Sequence, residues 1–274
     1  MSAKRKSEGR LQEEWVRLPG YTITDKLFES SRSLVFRALR ERDGQHVVIK
    51  ILQEDYLSRM EIARYRHEFE ISRRIISQRV VSALSLEEYQ GSPMIVFEDF
   101  GGRSLAACPV QSMNMTGRLE IAIAIASAIG DVHSHKVIHK DINPSNIIFN
   151  EKSGILKLTD FGLSTILLKE QAVPLGAGVL EGSLSYMSPE QTGRMNRSVD
   201  YRSDLYSLGV TLFELFAGRL PFVADGDSLR LIHHHIAKQP ASPCAVNPAV
   251  PPVLGEAGCL MSRNTMLYPA VAET

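Results

Sequence analysis

His139-Lys140-Asp141-Ile142-Asn143-Pro144-Ser145-Asn146, followed by Lys157-Leu158-Thr159-Asp160-Phe161-Gly162, decides how this chain is read. Each stretch comes after a short apolar run, so its polar residues stand at the end of a strand. Side-chain oxygens of Asp and Asn are hard ligands that suit Mg²⁺. A carboxylate beside a hydroxyl can orient it and accept its proton. A loop rich in polar residues would explain the first stretch alone. The Asp-Phe-Gly directly after a second apolar strand argues against that plainer account.

Working upstream, residues 21–51 carry β-branched and aromatic residues at strand spacing, with Arg42-Asp43-Gly44 as a hairpin turn. This run ends in Val47-Val48-Ile49-Lys50. Residues 54–76 are highly charged, with Ile62, Tyr65, Phe69 and Ile71 at helical spacing, which predicts an amphipathic helix. Glu68 on that helix is the expected partner of Lys50. Glu70 points about 200° further around the helix. Strand character returns at 80–88 and 94–100, and Gly101-Gly102 then breaks the chain. Downstream, Thr116 is a candidate cap for a long apolar helix ending near His135. Short strands are expected at 137–138, 146–149 and 156–158, and a buried helix at 201–218. A strand-rich part followed by a helix-rich part predicts an α+β protein of two lobes.

Composition narrows the function classes. Acidic and basic residues balance at 31 each, so charge gives no sign of a nucleic-acid partner. No apolar run approaches the roughly 20 residues that span a bilayer. No apolar segment follows Met1-Ser2-Ala3-Lys4-Arg5-Lys6, so no secretory signal is read there. The three cysteines, Cys108, Cys244 and Cys259, form no disulfide or metal pattern and suit a reducing cytoplasm. His233-His234-His235 reads as a solvated helix end, because consecutive helical residues point in different directions and make a poor zinc site.

Together these motifs resemble the protein kinases. Later segments agree. Gly182-Ser183-Leu184-Ser185-Tyr186-Met187-Ser188-Pro189-Glu190 looks like the end of an activation segment. Arg202-Ser203-Asp204 resembles the helix whose Asp ties down the catalytic loop. The resemblance implies a small antiparallel β N-lobe with one helix, a larger helical C-lobe, and ATP with Mg²⁺ as cofactors. It assigns Asp141 to orient the acceptor hydroxyl, and Asn146 and Asp160 to hold the metal. Lys50 would hold the α- and β-phosphates and Glu68 would fix Lys50. Asn143 stands at the position facing the γ-phosphate, and the Ser183 hydroxyl beside Asp141 favours serine and threonine acceptors. The adenine would lie between Leu27, Val35 and Val48 above and Ile148 below, with backbone hydrogen bonds from Glu98 and Phe100. The expected partner is a protein with a Ser or Thr acceptor.

Pro189-Glu190-Gln191-Thr192-Gly193-Arg194-Met195-Asn196-Arg197, leading into Val199-Asp200-Tyr201-Arg202-Ser203-Asp204, is similar to the N-terminal kinase domain of large bacterial multi-sensor proteins. Those carry ATPase-like and sensor histidine kinase modules, so further signalling modules beyond this chain are expected. The division implied is a leader at 1–20, an N-lobe at about 21–100, a C-lobe at about 101–240, and an irregular tail at 241–274.

Four departures from the family pattern stand out. The stretch Phe28-Glu29-Ser30-Ser31-Arg32-Ser33-Leu34-Val35 has no glycine where the family covers the phosphates with Gly-x-Gly-x-x-Gly. Ser30 and Ser33 are small and would offer hydroxyls instead. Asn143 replaces a lysine and brings no charge. Lys140 replaces an arginine and cannot form a two-pronged phosphate contact, so phosphorylation of the activation segment is expected to matter little. The tail diverges near Asn264, which predicts a truncated C-lobe and a Glu190 without its arginine.

Overall fold

The computed structural model describes residues 17–53, 58–166, 183–195 and 197–254. The activation segment before Ser183 and the tail after residue 254, including Cys259 and Arg263, lie outside them, as do residues 1–16.

An antiparallel sheet of five strands forms the N-lobe, with β1 Tyr21–Glu29, β2 Ser33–Arg40, β3 Gln45–Leu52, β4 Ala83–Tyr89 and β5 Ser92–Glu98 in the order β1-β2-β3-β5-β4. The two-residue side-chain period divides β3. Val47, Ile49 and Ile51 face a core with Phe36, Ala38, Met94 and Val96, whereas Val48 and Leu52 join Ile95 and Phe97 on the opposite face. Lys50 shares that second face by the same alternation. A one-residue slip would exchange the two sets, so burial fixes the register that brings Lys50 to the inner face. Leu18, within the expected leader, is 4% exposed and closes the first core.

Helix α1, Arg59–Arg74, lies over the second face. Ser58 caps it by accepting from the Glu61 N–H, Glu61 sits in its first turn, and Arg73 and Arg74 sit in its last. Its buried face carries Tyr65, Glu68, Ile71 and Ser72.

In the C-lobe, α2 Met115–Ser134 and α3 Tyr201–Ala217 pack through Ile121, Ile125, Ile129 and Val132 against Leu208, Leu215 and Phe216. Burying one such side chain contributes about 1.5–3 kcal/mol. The cap of α2 is Asn114, whose carboxamide accepts from the Gly117 N–H, and not Thr116. Both residue types cap well, and the local pattern does not choose between positions two apart. Asp200 caps α3, which stops at Gly218 in the left-handed conformation (φ 79°). Above the helices, β6 Arg103–Ser104, β8 Ile147–Asn150 and β9 Ile155–Leu158 form a small sheet, and β7 Val137–Ile138 pairs with β10 Thr165–Ile166.

The segment after residue 240 is partly ordered. Helix α5, Pro243–Val246, precedes Val250, which is 2% exposed in the C-lobe core. Glu190 is 3% exposed; one carboxylate oxygen accepts from the Ser203 hydroxyl, and the other is buried with no partner among the described residues.

The histidine run on α4, Ser228–Ala237, corrects the solvated reading for one member. His233 is exposed, but His235 is 3% exposed, 2.9 Å from the Tyr206 hydroxyl through Nδ1, and edge-on to Phe222. Burial pushes its pKa down to about 4. The unfolded chain therefore binds the extra proton between the ordinary value near 6.5 and 4, and stability falls as pH drops through that window. Going from pH 7 to pH 5 should cost about 2 kcal/mol from this group. Urea unfolding of His235→Phe should show a correspondingly flatter pH dependence than the wild type.

Candidate active site

Lys50 is the organising charge. Its ammonium donates to both carboxylate oxygens of Glu68, at 2.9 and 2.8 Å, and lies 3.2 Å from Asp160 Oδ1. Helix α1 supplies Glu68, β3 supplies Lys50, and the loop after β9 supplies Asp160. Burial alone would lower the Lys50 pKa, but Asp160 and then Glu68 outweigh it and hold the ammonium charged. Burial pushes the Glu68 carboxyl up to about 7, against the pull of Lys50. Burial also opposes ionisation of Asp160, yet the neighbouring Lys50 holds it below the usual carboxylate range. A second link binds α1 to the same loop: His67 Nε2 donates to the Ser164 carbonyl at 2.8 Å.

Asp204 anchors the loop after β7. It is fully buried on α3 and accepts three bonds of 2.8 Å, from the His139 N–H, the Lys140 N–H and His133 Nε2. Lys140 has φ 68°, a left-handed conformation that a lysine seldom adopts, and its two flanking contacts hold it there. The second contact is Gln191 Nε2 donating to the Lys140 carbonyl at 2.7 Å. His139 is buried against the ring of Phe161 at 4.7 Å, and its Nε2 donates to the Thr159 carbonyl at 3.0 Å. Asp160 also has a left-handed backbone, φ 66°. The two signature loops thus brace each other.

Asp141 is oriented from three directions. Oδ1 accepts from Asn143 Nδ2 and from the Ser183 N–H, both at 3.1 Å; Oδ2 accepts from Asn146 Nδ2 at 2.9 Å. Two expectations change here. Asn143 is 2% exposed and its amide is bonded to the Asp141 carboxylate. Ser183 reaches Asp141 through its backbone N–H, so the contact does not depend on the hydroxyl. The Asn146 amide group donates through nitrogen, which leaves its carbonyl oxygen able to serve as a metal ligand. Together with the Asp160 carboxylate it makes a donor set of hard oxygens that fits Mg²⁺.

On the nucleotide side, Val48, Phe100 and Ile148 pack in one cluster with Phe97. Val35 pairs with Lys50 across the sheet. Leu27 is 37% exposed and sits where the β1 register shifts, apart from that cluster. The Phe100 carbonyl already accepts from Asn150 Nδ2 at 2.6 Å, which leaves its N–H as the group it can offer a base. The Glu98 carboxylate accepts from the Ser82 N–H and from Lys157. Sequence reasoning missed Gly102, where a Cβ would stand 2.7 Å from the Ile148 side chain. The glycine-free loop is closed on itself. Ser30 Oγ accepts from the N–H groups of Arg32 at 3.3 Å and Ser33 at 3.1 Å, so its hydroxyl organises the turn.

Comparison with known proteins agrees with this geometry. The family model for the protein kinase domain matches residues 21–251, and the chain belongs to that family. It is 32% identical over 246 residues, 85% of this chain, to the serine/threonine-protein kinase PksC of Streptomyces coelicolor, of which the match covers 43%. It is 33% identical over 84% of its length to the DNA damage-responsive serine/threonine-protein kinase RqkA of Deinococcus radiodurans, covering 34% of that protein. It is 35% identical over 76% of its length to the serine/threonine-protein kinase PrkC of Bacillus subtilis, covering 32%. The chain therefore spans less than half the length of these relatives.

Removing Asp204 would leave one buried and two part-buried donors without their acceptor, a buried one costing about 1–3 kcal/mol. Asp204→Ala should lower the unfolding free energy by about 3 kcal/mol or more, measured by urea denaturation. An unchanged midpoint would contradict the anchoring role.

Proposed function

We propose that this protein kinase domain transfers the γ-phosphate of ATP to serine or threonine hydroxyls of proteins in bacterial signalling. The observation that carries the reading is the Asp141 carboxylate, fixed by Asn143, Asn146 and the Ser183 N–H. Lys50, held between Glu68 and Asp160, supplies the complementary positive charge.

ATP, when bound, supplies the transferable phosphoryl group, and Mg²⁺ would be held by Asn146 and Asp160. The residues of this chain do the rest. Lys50, kept charged by its two carboxylates, holds the phosphates in place. Asp141 points an oxygen at the acceptor hydroxyl and takes its proton. Val35, Val48 and Ile148, with Leu27 at the rim, enclose the base, and the backbone at Glu98 and Phe100 orients it. Asn143 supports Asp141 and brings no positive charge, so stabilisation of the developing phosphate charge rests more heavily on Lys50 and the metal. The similarity of the segment from Pro189 to Asp204 to multi-sensor kinases supports placing this domain, in the cytoplasm, within a larger signalling protein. The kinase unit is centred on 21–240, and Leu18 before it and Val250 after it add to its packed cores.

A second reading, a kinase-like module that binds nucleotide or a partner without turnover, is favoured by one observation. The loop N–H groups of Arg32 and Ser33 are already engaged by Ser30.

Labelled ATP with Mg²⁺ decides between them. The wild type should place acid-stable phosphate on serine or threonine of itself or of a generic protein substrate. Asp141→Asn should reduce the rate about 10²–10⁴-fold. Absent transfer by a chain that unfolds cooperatively would overturn the catalytic reading in favour of the binding module.

A further inference from the structure

The peptide plane between Lys140 and Asp141 leads directly to the proposed base, and a side chain from outside that loop grips it. Lys140 is left-handed, with φ 68°. Two peptide planes meet at its Cα. The first is held by its N–H, which donates to Asp204 Oδ1 at 2.8 Å. The second is held at both ends. Its carbonyl accepts from Gln191 Nε2 at 2.7 Å, and its N–H, that of Asp141, donates to His139 Nδ1 at 3.3 Å. The angle between the two planes defines the left-handed turn, so a hold on both planes is what maintains it.

Gln191 lies in the short helical turn Pro189–Thr192, downstream of Ser183. Its two amide atoms have different duties. Oε1 accepts from the Ser188 N–H at 3.2 Å and from the Ser188 hydroxyl at 2.8 Å. An N–H can only donate, so this contact fixes which amide atom is oxygen and leaves Nε2 facing Lys140. Oε1 caps its own turn, a duty that glutamate performs as well as glutamine. Nε2 has no part in that cap; its bond goes to the catalytic loop. The same segment touches the loop at the next residue too, where the Ser183 N–H donates to Asp141 Oδ1.

We propose that Gln191 is a positioning residue that couples the placement of the segment from Ser183 to Thr192 to the geometry of Asp141. With the segment in place, Nε2 holds the Lys140 carbonyl and the left-handed turn delivers Asp141. Loss of that bond weakens the hold on the second plane, Lys140 relaxes towards ordinary backbone, and Asp141 shifts with it. The coupling runs through a backbone carbonyl and one neutral amide. The inference rests on the catalytic role proposed for Asp141.

The test separates the clamp from the cap. Gln191→Glu keeps an acceptor for Ser188 but replaces the donor by an oxygen that the Lys140 carbonyl repels. Gln191→Met removes both. Each is assayed for transfer from Mg-ATP to casein, for Mg-ADP affinity by calorimetry, and for cooperative urea unfolding. Both variants should bind Mg-ADP as the wild type does and keep its KM for ATP, because the Lys50 cluster is untouched, while kcat falls about 10–100-fold. In an Asp141→Asn background Gln191→Glu should cost nothing further, because the clamp acts only through Asp141. A folded Gln191→Glu with wild-type kcat would reduce Gln191 to a cap and overturn the inference, as would an undiminished loss in the Asp141→Asn background. If Gln191→Glu does not unfold cooperatively, Gln191→Met is read by the same split, and a kcat loss accompanied by weakened Mg-ADP binding would overturn the inference. Absence of transfer by the folded wild type, to casein and to itself, would overturn the inference and the catalytic reading beneath it together.

Discussion

The site depends on one buried ion cluster, Lys50 held between Glu68 and Asp160. A lone ammonium at 14% side-chain exposure would be driven towards its neutral form, and a lone Glu68 at 3% towards its protonated one. Lys50 is held charged by the two carboxylates, while Glu68 is drawn towards ionisation by Lys50 and pushed back by burial and by Asp160. Breaking such a cluster from one side leaves an uncompensated buried charge and costs about 3–5 kcal/mol. The cluster therefore selects the arrangement in which β3, α1 and the loop after β9 meet. This contact links the N-lobe sheet to the C-lobe loops through chemistry that also suits triphosphate and metal.

The C-lobe answers with a second buried carboxylate. Asp204 holds the backbone of His139 and Lys140 in a conformation that Lys140 would not adopt alone. Asp141 follows directly on that backbone and is fixed by Asn143, Asn146 and the Ser183 N–H. The two carboxylates differ in kind: Glu68 is matched to an ammonium, and Asp204 to two backbone N–H groups and an imidazole. The first is sensitive to anything that moves α1, whereas the second is built into the packing of α3. His67 is the side chain that ties α1 to the loop carrying Asp160, through the Ser164 carbonyl.

Much of this was legible in the sequence because the chemistry demands particular residue types at short spacing. Asp141, Asn146 and Asp160 are read from two loops, and Glu68 is preferred over Glu70 because it leaves Phe69 and Ser72 at the positions the family resemblance implies. The two-lobe α+β architecture follows from the change in hydrophobic period near Gly101. What escaped is long-range or a matter of orientation. Nothing near Asn143 indicates that its amide would bond Asp141, and nothing near Ser183 shows that its N–H makes the contact. His235 was hidden because a histidine run looks polar until α4 is packed on Tyr206. The exposure of Leu27, apart from the cluster of Val48, Phe100 and Ile148, follows from a register shift in β1 that is invisible in the residues themselves.

The most direct measurement of the central claim is a double-mutant cycle on kcat/KM for ATP with Lys50→Met, Glu68→Gln and both together. If Lys50 and Glu68 act as one unit, the double variant loses no more than the worse single one. Losses that multiply would mean that the two residues contribute independently, and would contradict the account.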